Sequence, residues 1–192
     1  IEDLRQLVLC ELSRLQRAIE GGEFNAVDRF YAGYKRLDEE PFTRIIAERL
    51  SLILETQNIT VTPEHHQKHD KPCNFTTAKV IDGKRRLLVA EVKGQWHPKI
   101  YEATSDQLNN LYVIHPDAEQ QGIYLVIWFG ADDKVAGVKK HALSSAKALK
   151  IKLDDGLPND LSGMIGVLVL DVSKQTWTTQ CTQCRKRTFM AT

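Results

Sequence analysis

The chain alternates between amphipathic segments of helical period and shorter segments that are almost wholly apolar. In the first segment, apolar residues recur every three or four positions, and Gly21-Gly22 ends the pattern. Patterns of this kind predict helices over residues 1–20, 23–35, 41–56, 99–114 and 141–152.

Two apolar runs, 122–130 and 164–172, predict strands that are covered on both faces of a sheet. A short strand is expected at 58–62, and the polar stretch 64–70 is expected to be a loop or a sheet edge. Strands separated by helices predict an α/β fold with a mixed sheet flanked by helices. The expected organisation is a helical extension or linker at 1–35, one domain at 36–175 and a polar, basic tail at 176–192.

Between the third and fourth predicted helices, Asp82-Gly83 predicts a tight hairpin turn joining strands at 74–80 and 86–93. With those two residues at the tip, Asn74 lies directly opposite Glu91. Opposite residues share a sheet face, and so do residues two apart on one strand. Asn74, Glu91 and Lys93 are therefore expected to converge on one spot.

Composition narrows the possible partners and settings. The 192 residues are 42% hydrophobic and 27% charged with a formal net charge of +1, so attraction to phosphate must come from a local patch. No apolar run approaches the ~20 residues of a membrane span, and no membrane partner is expected. Four cysteines make no disulfide framework, which favours a reducing, cytoplasmic setting. The start Ile1-Glu2-Asp3 suggests a piece of a longer protein or a processed chain.

The hairpin, the Glu91-Val92-Lys93 motif, the acidic stretch before the third helix and a later helix with Gln107 and Tyr112 resemble the PD-(D/E)XK nuclease superfamily. The resemblance covers roughly residues 38–172 and implies a restriction-endonuclease-like fold. The run from VAEVKGQWHP to GIYLVIWFG resembles bacterial proteins in which such a domain is joined to larger regulatory or NTPase regions. The implied activity is Mg²⁺-dependent hydrolysis of DNA, double-stranded by expectation, with Mn²⁺ as an alternative ion. A role in antiviral defence or DNA processing, and a possible homodimer, also follow from the resemblance.

The resemblance also implies roles for single residues. The expected catalytic residues are Glu39, Asn74, Glu91, Lys93 and Gln107. The expected metal ligands are Asn74, Glu91 and the carbonyl of Val92. The expected nucleic-acid contacts are Gln95, His97, Lys99, Tyr112, Lys139 and Lys140. For the helix carboxylate, Glu39 is the first choice, Glu40 the second and Glu48 the third.

Asn74 departs from the pattern, because the superfamily has an aspartate there. A neutral amide supplies no negative charge to a hard cation that prefers carboxylates. One hypothesis is that Asn74 replaces an aspartate deliberately and makes an inactive form. The alternatives are a naturally degenerate site, or a catalytically dead module that binds nucleic acid or a protein.

Cys181 and Cys184 have the spacing of half a zinc site. They leave open a third class, a zinc-stabilised interaction domain.

Overall fold

The computed structural model describes residues 1–66, 72–102, 115–135 and 143–174, with the backbone alone at 64–66 and 72–74. The strands of its five-stranded sheet are β3 (Thr60–His66), β4 (Pro72–Ile81), β5 (Lys84–Gly94), β6 (Gly122–Trp128) and β7 (Ile165–Asp171). They lie in the order β3-β4-β5-β6-β7, in which β3, β4 and β5 are antiparallel and β5, β6 and β7 are parallel. Helices flank this mixed sheet, as the sequence predicts.

The β4–β5 hairpin has the predicted register. Pairing runs from Ile81 opposite Lys84 to Phe75 opposite Ala90. Asp82 and Gly83 at the tip have φ of 52° and 72°, the left-handed values that a type I′ turn needs at both positions. The turn therefore sets which side chains share a face along the whole hairpin.

The helices are α1 (Glu2–Glu20), α2 (Glu39–Leu54) and α3 (Ala146–Asp155). The first two match their predictions within two residues. The third begins later than expected, where the Ser145 side chain accepts a hydrogen bond from Ala148 N at 3.2 Å and caps the first turn. Of the helix predicted at 99–114, residues 99–102 form turns and the remainder lies outside the described residues.

The helix predicted at 23–35 is wrong. A 3₁₀ segment (Glu23–Phe30) leads into a small hairpin of β1 (Tyr31–Ala32) and β2 (Lys35–Arg36). Phe24 and Asn25 have φ of 49° and 50°, which interrupts helical hydrogen bonding. Phe30 packs in the core from this irregular backbone, whereas Phe24 and Tyr34 are fully exposed.

Apolar clusters cover both faces of the large sheet. On one face, α1 and α2 contribute Val8, Leu12 and Ile46, which pack with Val92 and Leu125. The N-terminal helix thus belongs to the same core as the sheet, while the predicted boundaries at 35 and 175 stay predictions. No helix in the described ranges has the length and apolar character needed to cross a membrane.

The opposite face packs against α3 through Leu87, Val89 and Tyr124. Because side chains alternate along a strand, Glu91 and Lys93 follow Leu87 and Val89 on this face. The carboxyl end of β5 therefore projects its charged side chains beyond an apolar core.

Candidate functional site

Glu91 and Lys93 form a buried ion pair near the carboxyl end of β5. Only 2% of Glu91 and 7% of Lys93 is exposed, and Lys93 Nζ lies 2.6 Å from Glu91 Oε1. Two charges this well buried are costly unless each is paired. Their pairing explains how the strand accommodates them after an apolar run.

Glu39 joins this pair from the first turn of α2. Its Oε1 accepts a hydrogen bond from Gly94 N at 3.1 Å, and its Oε2 lies 3.9 Å from Lys93 Nζ. Glu40 is exposed and pairs with Arg44, and Glu48 is also exposed. Of the three acidic candidates, Glu39 is therefore the one that lies at the end of β5.

The backbone of Asn74 lies in β4, one residue before Phe75. Since Phe75 pairs with Ala90, the same register continued by one residue sets Asn74 opposite Glu91. The side chain of Asn74 lies outside the described atoms. Its part in the site stays a prediction that the backbone register supports.

The two carboxylate oxygens of Glu91 differ, because Oε1 lies next to Lys93 and Oε2 does not share that contact. Oε2 is buried and has no hydrogen-bond partner among the described residues. Burial raises the pKa of Glu91, while the charge and hydrogen bond of Lys93 act in the opposite direction and Glu39 adds to the rise. A buried carboxylate oxygen without a donor is a position where a cation would be stabilising.

This raised pKa predicts a pH-dependent stability. The folded state holds the proton of Glu91 more tightly than the unfolded chain, whose ordinary value is 4.5. The stabilising contribution is therefore full below that value and is lost as pH rises through the folded pKa. Glu91→Gln removes the titrating group, so its urea midpoint should lack this fall when measured from about pH 4 to about pH 8.

The control for this prediction is Glu40→Gln, which removes an exposed carboxylate and should keep the fall. Parallel profiles for Glu91→Gln and the unsubstituted protein would show that Glu91 is not the group responsible.

Gln95 has the same parity as Glu91 and Lys93, but its side chain is fully buried and bonded to backbone. Its Nε2 donates to Gly130 O at 2.9 Å and Asp133 O at 3.1 Å, while its Oε1 accepts from Phe129 N at 2.6 Å. These bonds hold the loop after β6 against the end of β5. The amide is occupied by that loop and has no exposed atom to offer a nucleic acid.

His97 is half-buried beside the charged cluster. Its Nδ1 accepts a hydrogen bond from Lys99 N at 3.2 Å. Burial lowers the pKa of His97, and Lys93 lowers it further, whereas Glu39 acts in the opposite direction. His97 and the exposed Lys99 thus lie next to the cluster on the segment that leaves β5.

Several predicted residues contribute nothing that the structure describes at the site. The side chain of Val92 packs in the core on the other face, and the role of its carbonyl stays a prediction. Gln107, Tyr112, Lys139 and Lys140 lie outside the described residues, as do Cys181 and Cys184.

Tyr124 is a neighbour of the site that the sequence did not indicate. It lies beside Glu91 on the adjacent parallel strand, and its hydroxyl donates to Ile100 O at 2.6 Å. Burial raises the pKa of Tyr124 well above its ordinary value, and the negative charges of Glu91 and Glu39 add to this effect. Tyr124 therefore stays neutral and ties the segment after β5 to the sheet.

Arg36 and Trp96 form a second unexpected contact near the same strand end. The Arg36 guanidinium lies 3.2 Å from the centroid of the Trp96 ring. Trp96 folds back so closely that a Cβ on Gly94 would lie 2.5 Å from its ring. The glycine is thus required by this close approach.

The carboxylates fit part of a divalent-metal site. Glu39 and Glu91 supply oxygen ligands of the kind that Mg²⁺ prefers, and Glu91 Oε2 is unpartnered. Across the described part of the chain, no group of three His, Cys, Asp or Glu residues could hold a metal ion. Position 74 is where the register would bring a third oxygen ligand.

The chain matches no protein-family model, and no curated protein or solved structure matches it either. The arrangement of the site itself is therefore what bears on the activity of the chain.

Proposed function

We propose that the chain is a restriction-endonuclease-like domain of the PD-(D/E)XK type that hydrolyses DNA phosphodiester bonds with Mg²⁺ or Mn²⁺. The observation that carries the proposal is the meeting of Glu39, Glu91 and Lys93 at one end of β5. These residues come from a helix and a strand whose separation along the chain gives no local reason for contact. A hydrolytic reaction that needs two carboxylates and a lysine would account for the presence of Glu39, Glu91 and Lys93 together.

Glu39, Glu91 and position 74 would hold the metal ion. The ion would supply a water of lowered pKa and would neutralise charge on the phosphate. Lys93 would place a positive charge beside the phosphate oxygens, where negative charge grows during hydrolysis. Glu39 also orients the strand end, because it accepts the hydrogen bond of Gly94 N.

In the present sequence, Asn74 limits this activity. An amide leaves the site with one negative charge fewer than a site with aspartate, which weakens its hold on a hard cation. The buried Glu91 Oε2, which has no hydrogen-bond partner among the described residues, supports a cation-binding role for this carboxylate. The domain is proposed to act in the cytoplasm as the effector part of a larger defence or DNA-processing protein, with dimerisation as a way to cut both strands.

The test is Asn74→Asp, assayed on plasmid and linear DNA with Mg²⁺ and with a chelator. We expect Mg²⁺-dependent cleavage to rise more than about tenfold, because the new carboxylate completes the ligand set. Asn159→Asp adds the same charge at an exposed position outside the hairpin and should change nothing. A variant at position 74 that folds, binds DNA and still shows no Mg²⁺-dependent cleavage would contradict the proposal.

The same experiment distinguishes the proposed nuclease from a second candidate function. Asn74 itself favours a catalytically dead module that binds nucleic acid or a protein. Such a module would bind DNA equally well with and without Mg²⁺, and Asn74→Asp would change neither binding nor cleavage.

A further inference from the structure

The β1–β2 hairpin carries an exposed aromatic residue at its tip. Tyr31 pairs with Arg36 and Ala32 with Lys35, which leaves Gly33 and Tyr34 as the two tip residues. Gly33 has φ of 65°, a value that glycine adopts readily at the first position of a tight hairpin turn. Tyr34 follows it and is fully exposed, and Lys35 beside it is exposed as well.

A single exposed aromatic residue is ordinary on a protein surface. The hairpin beneath Tyr34, however, is anchored on its first strand. The Tyr31 hydroxyl donates to Val172 O at 3.0 Å, and its ring packs edge-on against Phe129 with centroids 5.4 Å apart.

The second strand is anchored too. Arg36 stacks on Trp96, and its Nε lies 2.7 Å from Asp133 Oδ2. Leu37 N donates to Phe30 O at 2.9 Å and extends the ladder below the pair of Tyr31 and Arg36. With both strands fixed, the direction of the tip is set by the core rather than by the tip itself.

This hairpin is close to the site of Glu39, Glu91 and Lys93. Tyr34 precedes Glu39 by only five residues, so their Cα atoms are at most roughly 18 Å apart. One strand of a DNA duplex advances about 3.4 Å per nucleotide. The distance from Tyr34 to Glu39, which lies beside Lys93, is therefore at most the length of about five nucleotides of one strand.

We propose that the tip of the β1–β2 hairpin binds the DNA strand next to the phosphate to be cut, with Tyr34 stacked on a base and Lys35 beside the backbone. The inference rests on the proposed nuclease function. Every base offers a face to an aromatic ring, so this contact adds affinity without sequence preference.

The charges near the tip favour DNA over a protein partner. Arg29 and Lys35 are exposed, and neither has an ion-pair partner among the described residues. An aromatic ring beside solvated cations matches a strand that carries bases and phosphates alternately. The acidic Asp28 and Asp38 on either side of the hairpin are paired with Lys174 and Arg36.

The experiment measures binding of a fluorescent single-stranded DNA oligonucleotide, and of the duplex of the same sequence, to the Asn74 protein. Tyr34→Ala should weaken binding of the single strand roughly 5- to 150-fold, the loss expected for one stacked base. Tyr34→Phe keeps the ring and should retain the affinity. Leu52→Ala removes an exposed apolar side chain near the far end of α2 and should have no effect.

The outcomes separate this inference from the proposed function. If the unsubstituted protein binds neither oligonucleotide, both are overturned. If it binds DNA and Tyr34→Ala binds as tightly, the hairpin inference alone is wrong. A loss confined to the single strand shows that the ring meets an unpaired base, and an equal loss on the duplex shows that it enters paired DNA.

Discussion

Lys93→Met in the Asn74→Asp background is expected to reduce Mg²⁺-dependent cleavage roughly 100- to 1000-fold, the loss typical of removing one stabilising group from the reacting centre. The methionine keeps the apolar stem of the lysine and removes its charge. Lys93 Nζ lies 2.6 Å from a carboxylate oxygen of Glu91 and 3.9 Å from one of Glu39. No other cation in the described structure is as close to both carboxylates.

Loss of Lys93 acts on Glu91 as well. The charge of Lys93 and its hydrogen bond both lower the pKa of Glu91, so their removal lets burial raise that pKa further. A larger fraction of Glu91 is then protonated at neutral pH and unable to bind a cation. Part of the lost activity should therefore return as pH is raised, while the part due to the missing charge at the phosphate should not.

The matched control is Lys84→Met in the same background. Lys84 is exposed at the other end of β5, roughly 30 Å along the strand from Lys93. It should leave cleavage unchanged. Cleavage by Lys93→Met within about threefold of the Asn74→Asp parent, with DNA binding and thermal unfolding intact, would remove Lys93 from the chemistry.

The sequence predicted the hairpin register because a local signal sets it. The Asp82-Gly83 turn allows one pairing register between β4 and β5. The alternation of side chains along each strand then assigns every residue to one face of the sheet. Glu91 and Lys93 share a face because they are two residues apart on one strand, and the turn adds the register that sets position 74 opposite Glu91. The helix carboxylate could be narrowed only to a few residues, since the phase of α2 against β5 depends on packing of the whole sheet.

Other features of the fold and of the site have no signal in the local sequence that would predict them. Tyr124 meets Glu91 through the register of two parallel strands, and no tight turn fixes that register. The stretch at 23–35 has helical apolar spacing, but Phe24 and Asn25 adopt left-handed φ without being glycine. Gln95 has the parity of Glu91 and Lys93 in the sequence, yet the loop that occupies its amide begins more than thirty residues later in the sequence.

That loop makes Gln95 a residue whose replacement should cost substantial stability. Gln95→Leu has nearly the same volume and no polar atoms, so it removes hydrogen bonds to Phe129 N, Gly130 O and Asp133 O without leaving a cavity. The buried Phe129 N loses its acceptor, which costs about 1–3 kcal/mol. The two carbonyls add less, because they are only part-buried and Gly130 O still accepts from Asp133 N, so the total should be roughly 2–4 kcal/mol. This is a large part of the ~5–15 kcal/mol that stabilises a domain.

Gln16→Leu is the matched control, because Gln16 also clamps the backbone at the end of a strand. Its Oε1 accepts from Asp171 N at 2.7 Å and its Nε2 donates to Asp171 O at 3.3 Å, but this glutamine is partly exposed. Water can replace its bonds, so urea unfolding should show less than half the loss found for Gln95→Leu. Equal losses of stability in the two variants would mean that burial of the glutamine does not determine how much stability its replacement removes. The loop that carries Asp133 would then hold its place through the ion pair with Arg36 rather than through Gln95.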